Sequence, residues 1–146
     1  MNKRYAARHQ FVNPDSAIDM LGGGFGYPIV VNKTGGVELQ TGSTHTGSEI
    51  KHFSNYDYTD LVGTPLFGGG IPNTLWKLIT SNLIGIKQTQ MEDGLEYWMP
   101  HVEDVQVLVG KTVGNPNGLT VKVMFKEKVT GDIEYLMYNS PMDERN

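Results

Sequence analysis

Glu92, Asp93 and Glu96 are the residues of this chain whose types and spacing come nearest to acid–base chemistry. Glycoside hydrolysis needs two carboxylates roughly 5–10 Å apart, one of them with its pKa raised in an apolar pocket. Glu92 and Glu96 stand one helical turn apart, so spacing permits it. The plainer reading is a solvated acidic face opposite Ile84, Met91 and Leu95, because no residues around it mark a pocket. No catalytic residue is assigned on this basis, and the chain is expected not to be an enzyme.

The other candidates are weaker. His9, His45, His52 and His101 are the only histidines; His45 and His52 are seven apart across an expected helix start and the other two are isolated, whereas zinc sites favour ligands at tight spacings such as i, i+4. No metal or cofactor site is expected. Ser48 lies near His45 and His52, but a nucleophile elbow of the form G-x-S-x-G is missing. Gly22-Gly23-Gly24-Phe25-Gly26 lacks the register and the lysine of a phosphate loop and reads as a connector. Lys122, Lys126 and Lys128 form a basic row, either ordinary solvated charge or a docking face for an acidic partner.

The elements that would position these residues centre on residues 83–109. Ile84, Met91, Leu95 and Trp98 share one helical face. Pro100 stops that helix within Trp98-Met99-Pro100-His101, since its ring disfavours a helical residue before it. Val105, Val107 and Val109 then alternate with Asp104, Gln106 and Leu108, the pattern of a strand with one apolar face. Two more strands are predicted. In residues 119–126, Leu119, Val121, Val123 and Phe125 point inward; residues 133–138 form the last. Gly114-Asn115-Pro116-Asn117-Gly118 and Thr130-Gly131-Asp132 supply turns of an antiparallel meander.

Upstream, Thr80-Ser81-Asn82 offers a cap for the long helix. Pro72 opens a short helix carrying Leu75, Trp76, Leu78 and Ile79. Thr46-Gly47-Ser48-Glu49 fits a capping box for a helix reaching Leu61. Residues 27–31 read as a short strand, with residues 37–40 as its return. Residues 1–26 read as a basic arm and residues 141–146 as a polar tail, flanking one domain over residues 27–140.

Composition sets the bounds. The 146 residues suit one domain, able to bury roughly 68–70% of the surface of its unfolded chain. No cysteine is present, which excludes disulfides and thiolate metal sites and fits a reducing compartment. Twelve basic and sixteen acidic residues leave a net charge of −4, a poor match to nucleic-acid phosphates. No apolar run approaches the ~20 residues of a bilayer span, and Met1 to Tyr5 open without an apolar segment, so no signal peptide is expected.

Trp98-Met99-Pro100-His101-Val102 resembles the W-E-P-R-[IV] signature of the small baseplate wedge proteins of contractile phage tails, a lysozyme-like family with a type VI secretion counterpart. Pro65-Leu66-Phe67-Gly68 resembles the family's P-x-[FY]-G loop. The order of glycine-rich lead, Gly35-Gly36 turn, helix, this loop, further helices and valine-rich meander is similar from Gly22 onward. Met99 stands where the signature has glutamate and His101 where it has arginine, and the G-E-R loop is cut to Gly63-Thr64.

The expected fold is α+β: a small antiparallel C-terminal sheet packed against two or three helices, with an extended N-terminal arm. The resemblance implies a structural wedge component of the virion's tail baseplate, assembled in the host cytoplasm in several symmetric copies. It implies tail sheath, baseplate wedge and hub proteins as partners, with no nucleic acid or membrane, and a role in starting sheath assembly from the first ring. Another tail or neck connector is the alternative, a peptidoglycan hydrolase a more distant one. Trp98, Met99, Pro100, His101, Pro65, Phe67 and Gly68 are the motif and hinge residues. An open sheet edge at Ile133, Glu134, Tyr135, Leu136, Met137 and Tyr138, beside Lys122, Lys126 and Lys128, is the candidate surface for sheath.

Overall fold

The computed structural model describes residues 23–140. The expected arm, apart from residues 23–26, and the polar tail lie outside the described residues. The chain divides into two compact units, one ending at Glu49 and one beginning at Ile50.

In the first unit β1 (Gly23–Phe25) pairs antiparallel with β2 (Leu39–Thr41), Gly24 opposite Gln40. The glycine run expected as a connector is thus a strand. A Cβ on Gly24 would lie 2.7 Å from His45 Cε1, and one on Gly26 would lie 2.6 Å from Gln40 Nε2. The missing side chains are what admit these neighbours. The strand expected over residues 27–31 reduces to a single bridge, Val31 to Val37, because Pro28 has no N–H to give a ladder. The turn at Thr34-Gly35-Gly36 forms as expected: Asn32 Oδ1 accepts from Thr34 N and Gly36 N at 3.0 and 2.9 Å.

Helix α1 (Gly42–Asn55) runs through the boundary between the units. It corrects both expected ends. Thr46 is no cap but lies one turn inside, buried, with its hydroxyl directed back at the Gly42 carbonyl. The helix stops at Asn55 instead of reaching Leu61. Beyond it Asp57 accepts the Tyr58 N–H at 2.8 Å while Asp60 accepts that of Asp57 at 2.7 Å, local bonds that compete with helix continuation.

The second unit holds α2 (Ile71–Thr74), α3 (Ser81–Trp98), β3 (Val102–Thr112), β4 (Asn115–Glu127) and β5 (Ile133–Ser140). The helix opened by Pro72 lasts one turn, since the Leu75 and Lys77 N–H groups bond three residues back, to Pro72 and Thr74. Trp76 and Leu78 consequently face solvent. Helix α3 matches its expected face: the Thr80 hydroxyl accepts the Leu83 N–H at 3.2 Å, Met91 and Leu95 are fully buried, and Ile84 and Trp98 pack on the same core.

The strands β3, β4 and β5 form an antiparallel sheet in that order. Val105, Val107, Val109, Leu119, Val121, Val123 and Phe125 are buried as the alternation predicts, against Ile50 and Phe53 of α1, Ile71 of α2, and Met91 and Leu95 of α3. The fold is α+β, a small C-terminal antiparallel sheet covered by helices. Two bulges were not legible. Val102 and Val105 both face inward although three apart, because the register shifts between Glu103 and Gln106, where Asp104 takes φ 53°. The β3–β4 turn lies at Val113-Gly114; of the expected turn residues 114–118 only Gly114 belongs to it, and residues 115–118 open β4 beside a second shift at Lys111/Thr112.

Candidate functional site

The acidic cluster proves to be structural at Glu92. Its Oε1 accepts the Val107 backbone N–H at 2.8 Å, and one turn earlier Gln88 Oε1 accepts that of Val109 at 3.1 Å. Asp93 and Glu96 of the same helix are exposed. In the first unit Ser48 donates to Gln40 Oε1, and His45 pairs with Glu49 at 3.4 Å. Among the described residues no three His, Asp or Glu side chains converge as a metal site would need.

The motif residues come together. Gly68 has φ 131°, and a Cβ there would stand 2.3 Å from the Tyr56 carbonyl oxygen, so the loop closes only on glycine. That closure sets the Phe67 ring edge-on to Phe53 and Trp98, at 5.0 and 5.6 Å between centroids. Trp98 Nε1 donates to the Leu66 carbonyl at 3.4 Å, and the Pro65 carbonyl accepts Thr59 N at 2.8 Å. Met99 is buried, and its carbonyl accepts Val102 N at 3.1 Å across Pro100. The His101 carbonyl accepts Lys128 N at 3.0 Å, joining the hinge to the end of β4.

Lys87 holds the same loop and was missed. It lies on the apolar stripe, three residues after Ile84 and four before Met91, which was the available signal. Its Nζ donates to Gln90 Oε1 at 3.0 Å, and Gln90 Nε2 donates to the Gly68 carbonyl at 3.1 Å. Burial draws the Lys87 ammonium below its ordinary pKa, with Asp57 opposing. Burial pushes the Asp57 carboxyl up, but bonds from Asn73 and Tyr58 and the cations of Lys87 and Lys77 outweigh it and hold the group below the usual carboxylate range.

The two edges of the β3–β4–β5 sheet differ. Val107 and Val109 direct their N–H groups away from β4, towards α3. Antiparallel alternation then points Gln106 and Leu108 at Met124 and Lys122, and Val121, Val123 and Phe125 at Tyr138, Leu136 and Glu134. Tyr135 and Met137 are left with their N–H and C=O groups facing outward from β5. Side chains on this strand split likewise: Ile133, Tyr135 and Met137 are 58%, 76% and 67% exposed on the outer face, Leu136 packs on the core, and Tyr138 is buried. Burial pushes the Tyr138 hydroxyl far above its ordinary pKa, Ser54 opposing.

Gln106, Leu108, Lys122, Met124, Tyr135 and Met137 line a shallow cavity of about 440 Å³ on that outer face. The basic row is not uniform. Lys126 is engaged by Glu103 at 2.8 Å, a hydrogen-bonded pair that raises the one pKa and lowers the other. Lys128 is exposed beyond the sheet. Among the described residues Lys122 has no ion-pair partner.

No protein-family model and no curated protein sequence matches the chain. Two solved structures are similar in backbone. One is a protein of Geobacter sulfurreducens provisionally named a tail lysozyme, with a TM-score of 0.55 and 19% identity over 68% of this chain and 90% of that one. The other is a chain of the anti-feeding prophage baseplate, solved by cryo-electron microscopy with six-fold symmetry applied, with a TM-score of 0.58 and 16% identity over 77% of this chain and 90% of that one. At these identities the likeness is one of fold: the chain has the architecture of a protein found in a baseplate and of one named for a tail.

Proposed function

We propose that the chain is a structural wedge component of a contractile-tail baseplate, that it joins the wedge to the first ring of sheath, and that sheath assembly starts on it. The observation that carries this reading is the sheet with one edge engaged by Gln88 and Glu92 and the other, β5, open among the described residues at Tyr135 and Met137. An open edge accepts an extended segment from another chain with backbone bonds alone. The fold shared with a chain of a six-fold baseplate supports the setting, as do Trp98-Met99-Pro100-His101 and Pro65-Leu66-Phe67-Gly68, which pack on one another through Phe67 and Trp98. Sheath, wedge and hub proteins are the partners in this reading, several copies serve one virion, and the protein joins the tail in the host cytoplasm. In this reading it has no catalytic role, which the commitment of the Glu92 carboxylate to a backbone donor supports.

The test is reconstitution. Baseplates assembled with and without this protein are offered purified sheath subunits, and sheath length and number are counted by electron microscopy. Sheath should grow only from baseplates that contain it. Equal growth from baseplates lacking it would overturn the proposal.

A further inference from the structure

The outer face of the sheet is a surface separate from the β5 edge. Register sets its residues in cross-strand rows, Leu108–Lys122–Met137 and Gln106–Met124–Tyr135. The opposite face is already closed by helices. A sheet apolar on both faces needs a layer on each, and exposed apolar patches of this kind mark interaction sites. Three strands roughly 4.8 Å apart make a strip about 10 Å wide, the diameter of one helix.

From this face we infer that it docks an amphipathic helix of another protein whose apolar stripe carries one carboxylate for Lys122. Lys122 stands at the centre of the face with Leu108 and Met137 directly beside it. The other cation of the face, Lys126, is answered by Glu103. Covering the apolar rows strips water from the Lys122 ammonium, which is unfavourable unless the covering surface brings an opposite charge. A second copy of this chain does not fit, because a two-fold contact centred here would bring Lys122 against Lys122. An added strand does not fit either, since strands join at the edge and leave this face bare.

The inference stands apart from the baseplate reading and is tested without it. The full chain serves as bait for a display library of helical peptides about 18 residues long, roughly five turns, with randomised faces. Selected peptides should carry Asp or Glu inside an apolar stripe. Their affinity should fall about tenfold or more for Lys122→Glu and for Leu108→Ser, both exposed positions whose variants are checked for folding by circular dichroism. A peptide with that carboxylate changed to lysine should regain binding to Lys122→Glu. Binders indifferent to Lys122→Glu, binders that are extended when bound, or self-association of the bait that competes with the peptides would each overturn it.

Discussion

The Glu92 carboxylate accepts the Val107 backbone N–H at 2.8 Å, so a side chain of α3 does for β3 what a neighbouring strand would otherwise do. Gln88 repeats the contact at Val109, one turn earlier on the helix and two residues on in the strand. The rise of about 6 Å over four helical residues and the two-residue period of outward donors on an edge strand, about 6.6 Å, are near enough in length for this to work.

Glu92→Ala should therefore lower stability by about 1–2 kcal/mol, a lost charge-assisted bond that leaves its donor unpaired. Glu92→Gln keeps an acceptor and should lose less than half of that. The double variant Glu92→Ala, Gln88→Ala should also self-associate, because it exposes a strand edge. Urea denaturation and light scattering read the two effects; an Ala variant as stable as the Gln variant would deny the bond any role.

Purified protein should not clear cell-wall substrate. Glu92 is bound to the sheet edge, and Asp93 and Glu96 are exposed to solvent instead of being set in the apolar pocket that a general acid needs. A zymogram checks this, and clearing that disappears in Glu96→Gln would restore the enzyme reading.

Gly68→Ala should cost about 2–3 kcal/mol or more, because φ 131° is strained for any side chain and the Tyr56 carbonyl already fills the space. Trp98→Ala should cost a similar ~2–3 kcal/mol, less than a fully buried aromatic, since Trp98 is half-buried. Both changes loosen one aromatic group centred on Phe67, so their combined cost should fall short of the sum. Thermal melts of the two singles and the double test the shared contact.

Proline should discriminate between the two sides of β5. At Leu136 it removes a donor facing β4 and should unfold the domain; at Tyr135 the lost donor faces outward, and the protein should fold. Folded Tyr135→Pro should fail to nucleate sheath on reconstituted baseplates while Tyr135→Ala retains at least part of that activity. Normal nucleation by the proline variant would place the sheath contact elsewhere.

Much of the second unit could be read from residue order because its signals are periodic and local. Met91 and Leu95 recur at helical spacing, Val105 to Val109 and Leu119 to Phe125 alternate, and Pro100 punctuates the change. What escaped was set by partners remote in sequence. The Glu92–Val107 bond joins positions 15 apart. The bulge at Asp104 needs β4 opposite to define it, and Gly23–Phe25 is a strand only because β2 lies beside it. Thr46-Gly47-Ser48-Glu49 imitated a cap in a helix that had already begun at Gly42. The open edge was legible as a position, residues 133–138, but which of its donors face outward followed only once the register was known.

Closure of β3 gives the sheet a direction. Any segment added at β5 becomes the new boundary, while behind β3 the donors of Val107 and Val109 are already taken by α3. A chain built this way favours the first place in a row over one in its middle. In the proposed setting the number of rows would then equal the number of copies of this chain, and the polarity of every row would be decided before its second member arrived.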